Sequence, residues 1–130
     1  MFTSLQNPLS LIGRVLLALL FIPAGFSKIG GFAGTVGYAA AKGVPVPELA
    51  IAMAIVVELG LGLLLLVGFQ TRWAALGIAF FTFVISFIFH PLGDPSQAQA
   101  FFKNMAIVGG LLSVAAWGGG GWSVDAKRGA

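Results

Sequence analysis

The sequence contains no cysteine, a single histidine and very few charges. Without cysteine, disulfides, thiolate metal sites and thiol–disulfide exchange by the chain itself are excluded. One histidine leaves no protein-only zinc site and no two-histidine haem within one chain, so no metal centre is expected. Only 8% of the residues are charged, against about 25% in a soluble domain whose surface must meet water. The net charge of +3 is too small and too scattered for a nucleic-acid footprint. What remains is apolar: 58% of the 130 residues are hydrophobic and the mean hydropathy is +1.01. The first ten residues carry no Lys or Arg, and Arg14 interrupts the apolar stretch that follows. That stretch therefore reads as a retained span and not as a cleaved signal peptide.

About 20 apolar residues cross a bilayer as a helix. Four such segments are predicted, over residues 10–29, 48–67, 73–89 and 101–117. The fold class expected is all-α: one membrane domain over residues 1–130, an antiparallel bundle of four transmembrane helices in contact with lipid. The run between the first two spans has room for a short interfacial helix, Phe32 to Lys42, stopped by Gly43. Residues 68–72 make a tight turn that pairs spans two and three, and the glycines at 118–121 read as a flexible exit from the bilayer. One side of the bundle gathers the N-terminus, Arg14, Arg72, Lys127 and Arg128, and the other Lys28, Lys42 and Lys103. The positive-inside rule then puts both termini in the cytoplasm. Trp73, Trp117 and Trp122 fall on that same side, as an aromatic belt would.

Glu58 is the strongest chemical signal, a carboxyl near the centre of a span, where ionised groups are costly. Ala50, Ala54, Glu58 and Gly62 recur every four residues, and small residues mark close helix approach, so Glu58 is expected to face the bundle. Arg14, Ala18, Phe21, Gly25 and Lys28 form a matching stripe on the first span, and Lys103, Ala106, Gly110, Ser113 and Trp117 one on the fourth. With 1.5 Å rise per residue, Arg14 lies about 6 Å deep, Glu58 about 15 Å and Lys28 about 27 Å. Helical side chains lean toward their own N-terminus, which tilts Lys28 and Glu58 together and Arg14 away. Lys28 is thus the expected partner of Glu58, with Lys103 or Asn104 nearby. Taken singly, Arg14 and Lys28 also read as side chains that snorkel to the interfaces, and His90 as a helix-end cap. Lys28, Glu58, His90, Lys103 and Asn104 could converge in the outer half of the bundle, among Phe21, Phe26, Phe83, Phe87, Phe101 and Phe102. Such a site would suit a small hydrophobic ligand such as a quinone. Two roles stay open for Glu58, a proton or ligand contact and a structural pairing.

The order of short strings is similar to that of a known family. Gly13-Arg14-Val15-Leu16-Leu17-Ala18, then Phe21-Ile22-Pro23-Ala24-Gly25-Phe26-Ser27-Lys28-Ile29, resembles the start of DoxX-type membrane proteins. Gly43-Val44-Pro45-Val46-Pro47, Glu58-Leu59-Gly60, Gly68-Phe69-Gln70-Thr71-Arg72 and Phe102-Lys103-Asn104 continue the resemblance to about Asp125. It implies a bacterial inner-membrane protein. Relatives include a quinone-reactive subunit of an archaeal thiosulfate:quinone oxidoreductase, and partners of soluble sulfur-handling or oxidative-stress enzymes. The expected function is a redox-linked subunit that meets quinone or a small redox metabolite together with a soluble or membrane partner enzyme. Glu58 would be the catalytic proton acceptor, and Arg14, Lys28, His90, Lys103 and Asn104 the ligand-binding residues. The alternatives are a non-catalytic accessory, assembly or anchoring subunit, and a small-molecule carrier. The carrier would have to be a homo-oligomer, since the chain lacks duplicated halves.

Overall fold

A computed structural model of the chain describes residues 2–91 and 93–128. Four helices in it are long and apolar enough to cross a membrane, and no strand occurs among the described residues. The first span, Gln6–Gly30, follows a 3-10 turn at Phe2–Leu5 and so begins earlier than its apolar pattern suggests. Pro8 sits in its opening turn, where a missing N–H costs nothing. Pro23 is carried inside the helix without ending it, as membrane helices allow where neighbours repair the freed backbone. The expected short helix is present at Phe32–Ala41. Gly43, at φ +82°, turns the chain out of it, with its N–H donating to the Ala40 carbonyl.

The second span runs Pro47–Val67. Its middle, Val56–Leu61, is wound as a π-helix, and Glu58 lies within that turn. Gly68 ends the span in the left-handed conformation at φ +77° and accepts two constraints at once. Its N–H donates to Leu64, and a Cβ on it would collide with Ser123 and sit 2.8 Å from Arg14 Nη1. The third span, Thr71–Phe89, starts after a three-residue turn, and the fourth, Ala98–Trp117, follows a loop closed by a 3-10 turn at Pro95–Gln97.

The third and fourth spans pair along much of their length, and the first packs as extensively on the second. Between them lies a core of Phe21, Leu65, Ala75, Ile78, Ala79, Val108 and Leu111. The third span contributes small residues, with Ala74, Ala75 and Ala79 all buried, and the fourth answers with the bulky Phe101, Val108 and Leu111. The fourth-span stripe expected inside is turned out: Lys103, Ala106, Ser113 and Trp117 are exposed and Gly110 half-buried. Lipid tails are as apolar as the side chains, so shape complementarity and not hydrophobicity decides which face turns inward.

The glycine-rich tail does not leave the bundle. It folds back over the start of the first span and the end of the second, and a short helical turn, Val124–Lys127, follows it.

Candidate functional site

Two helix faces build the site. On the first span Arg14, Ala18, Phe21 and Gly25 are buried in the expected stripe. On the second, Ala54, Glu58 and Gly62 are buried, with Ala50 at the edge. The two backbones approach closely where glycine permits it. A Cβ at Gly25 would lie 2.6 Å from Leu59 Cγ and 3.2 Å from Leu59 N. This contact sets Lys28 opposite Glu58, and their charges meet at 2.7 Å between Nζ and Oε1. The Glu58 side chain is only 6% exposed and that of Lys28 26%, so the lysine is the member of the pair that faces open space. Lys28 is the one partner of Glu58 Oε1 among the described residues.

That space is a cavity of about 440 Å³ roofed by the short helix. Lys28, Ser27, Thr35, Tyr38 and His90 supply its polar lining, and Ala50, Ile51, Ala54, Phe81, Ile85 and Phe89 much of its apolar wall. Tyr38 stacks on Phe89 with ring centroids 5.4 Å apart and planes 15° apart, which pins the short helix to the third span. Lys42 Nζ sits 5.6 Å from the Tyr38 ring centroid on the outer side. His90 Nδ1 lies 2.6 Å from Gln97 Oε1. With the Gln97 amide so oriented, Nδ1 carries the hydrogen, and Nε2 of the neutral ring is left as an acceptor.

Of the residues predicted from sequence, Lys28 and His90 line this cavity, and Glu58 stands behind Lys28. Lys103 is exposed and does not line it. Asn104 does not line it either; its Nδ2 donates to Ser86 Oγ at 3.1 Å, and Ser86 in turn donates to the Thr82 carbonyl at 2.6 Å. Phe83, Phe87, Phe101 and Phe102 form an edge-to-face chain between the third and fourth spans, outside the cavity. Phe21 belongs to the core and Phe26 is exposed. Sequence reasoning missed Ser27, Thr35 and Tyr38. The available signal was Thr35, Tyr38 and Ala39 at three- and four-residue steps, one face of a short helix.

Arg14 lies at the other end of the bundle and is fully buried. Its guanidinium does not snorkel. Nε donates to Gly119 O at 3.1 Å, Nη1 to Leu65 O at 3.0 Å and Leu66 O at 2.9 Å, and Nη2 to Trp122 O. Asp125 completes this end. Its Oδ1 accepts from Gln70 N at 2.8 Å, and its Oδ2 from Thr71 N at 2.8 Å and Thr71 Oγ1 at 2.7 Å. Partial burial works against the Asp125 charge, but the donors of Thr71 and Gln70, helped by Arg128, outweigh it and hold the carboxyl below its ordinary value.

Comparison with known proteins matches residues 9–91 to the DoxX family model. The inner membrane protein YqjF of Escherichia coli K12 is 42% identical over 116 residues, 88% of each chain. The inner membrane protein YphA of the same organism is 37% identical over 133 residues, covering 97% of this chain and 94% of its own. No solved structure matches. A four-span bundle whose first three spans fit that model, and whose relatives align along almost its whole length, belongs to the DoxX family of inner membrane proteins.

Proposed function

We propose that the chain is a redox-linked membrane subunit that receives a quinone-like ring ligand in the cavity beneath the short helix, working with a partner enzyme that supplies or takes the electrons. The observation that carries the reading is Lys28, turned into an apolar, aromatic-walled cavity and held from behind by Glu58. The volume of about 440 Å³ falls within the range of small-ligand sites. A quinone supplies a two-electron, two-proton couple when bound. The chain's own residues then have simple tasks. Lys28 donates a hydrogen bond to a ligand oxygen and stabilises negative charge gained there. Glu58 keeps that ammonium in place and, as the carboxylate behind it, is the acceptor for a proton that a reduced ligand gives up to Lys28 on reoxidation, which restores the ammonium. His90 Nε2, with Nδ1 turned to Gln97, accepts from a second ligand hydroxyl. Phe81 and Phe89 offer ring faces.

The test is native mass spectrometry of protein gently extracted from its own membrane, beside Glu58→Gln. Near-stoichiometric quinone in the wild type and its loss in the variant are expected. Lipid alone in both, with an unchanged co-purifying protein, would sink the ligand role. A second reading, an accessory subunit with no ligand, is favoured by one fact: the Glu58 charge is already matched by Lys28. On that reading Glu58→Gln lowers the unfolding midpoint and changes no redox phenotype.

A further inference from the structure

A second cavity, of about 570 Å³, opens at the opposite end of the bundle, between the start of the third span and the end of the fourth. Arg72, Trp73, Trp117 and Gly118 line it. The third span begins here and the fourth ends here, which puts the cavity at the membrane surface of a bundle that spans the bilayer. Three observations define what it would accept. First, Arg72 is exposed and has no hydrogen bond or ion pair among the described residues. Its guanidinium lies along Gly118, where a Cβ would come within 3.3 Å of Nε, so the glycine keeps the planar fork clear of side chains. Second, the acid in the same wall is occupied. Both oxygens of Asp125 are spent on Gln70 and Thr71, and the positive charge of Arg72 is left unmatched. Third, Trp73 is 73% exposed and Trp117 86%, one on each neighbouring span. Such rings settle at headgroup level, apolar edge down and N–H up.

We propose that this cavity holds the headgroup of an anionic phospholipid. Its phosphate diester meets the Arg72 fork, for which two parallel N–H donors are a geometric match. Trp73 and Trp117 flank its glycerol region, and its acyl chains run down the exposed apolar flank of the bundle. A free phosphate would satisfy Arg72 but would leave both tryptophans without a role, which is why a lipid is the favoured source of the phosphoryl group.

The full-length protein is reconstituted in nanodiscs holding equal amounts of phosphatidylglycerol and phosphatidylcholine, and the lipid retained after release is counted by native mass spectrometry. Wild type is expected to retain phosphatidylglycerol preferentially. Arg72→Gln should lower that preference about fivefold, the size of one cation's attraction to an anionic surface. Lys103→Gln, an exposed cation at the far end, should leave it unchanged. Arg72→Lys keeps the charge without the fork and should fall between; it carries the comparison by itself if Arg72→Gln does not fold. Equal retention of the two lipids by wild type, or equal losses in Arg72→Gln and Lys103→Gln, overturns the proposal. So does inorganic phosphate that displaces the retained lipid and raises the unfolding midpoint only when Arg72 is present, an outcome that would assign the cavity to a soluble phosphoryl ligand.

Discussion

Arg14 is a buried cation held by backbone alone. Four carbonyls from two separate segments surround it, and no carboxylate lies within ion-pair distance among the described residues. Hydrogen bonds to a charged group are stronger than neutral ones, and a planar fork can serve acceptors on two sides at once. An ammonium offers its three donors from one atom and cannot span them. Arg14→Lys is therefore expected to cost roughly 3 kcal/mol, measured as a lower unfolding midpoint in mild detergent, with Arg14→Ala worse because the carbonyls stay unsatisfied. The inward face of Arg14 was legible in its four- and three-residue spacing with Ala18, Phe21 and Gly25. Its partners were not, because a carbonyl is present at every residue and leaves no mark in the sequence. The same limit applied less to Lys28 and Glu58, whose opposite charges on facing small-residue stripes made the pairing readable.

Among the elements, the second span does the most to shape the site. Its π-wound turn at Val56–Leu61 carries Glu58 and presses Leu59 against Gly25. π-turns inside α-helices recur at functional sites. No residue pattern announced it, since the apolar run through Val56, Val57, Leu59 and Leu61 suits either winding. Gly25→Leu should force the first span away from that turn and part Lys28 from Glu58. The expected result is loss of the ligand proposed for the cavity together with a lower midpoint, whereas Gly13→Ala, with nothing within 4 Å of its Cβ, should leave both unchanged. The fourth span shows where spacing misleads. Its small residues line up at helical steps, yet the third span already supplies the small partner surface, and the fourth packs with Phe101, Val108 and Leu111 instead.

At the scale of the whole molecule, the tail closes the bundle by tying itself to the start of the first span and to the end of the second. Gly121 N donates to Asn7 Oδ1 at 2.9 Å, and Asp125 N to Gly68 O at 2.9 Å. Asp125 also caps the third span, and its depressed pKa ties that cap to pH. A carboxyl held below its unfolded value of about 4 contributes fully above that pH and loses its contribution as pH falls through the folded value. Asp125→Asn is expected to cost about 1 kcal/mol near neutrality, because it removes the charge and puts an NH2 donor where one of the two acceptor oxygens stood. Unfolding midpoints of variant and wild type should converge in acid; a gap that persists there would show that the charge is not what matters. The number and order of the spans were legible because twenty apolar residues have few other uses. The tail was not, because four glycines signal freedom and here serve close approach: a Cβ at Gly119 would lie 2.8 Å from Thr71 Oγ1.

The cage around Arg14 also sets a clock on biogenesis. Two of its four acceptors, Gly119 and Trp122, lie 105 and 108 residues downstream of the guanidinium they receive. At about 5–20 residues per second, synthesis separates donor from acceptors by roughly 5–20 s. Throughout that interval the first span holds a cation whose solvation shell is still unmade. Until then Arg14, about 6 Å deep, must draw its hydrogen bonds from water or headgroups at the near interface, and the cage of its final position closes only when the last segment has been made. In this chain the first helix to reach the bilayer is among the last to be finished.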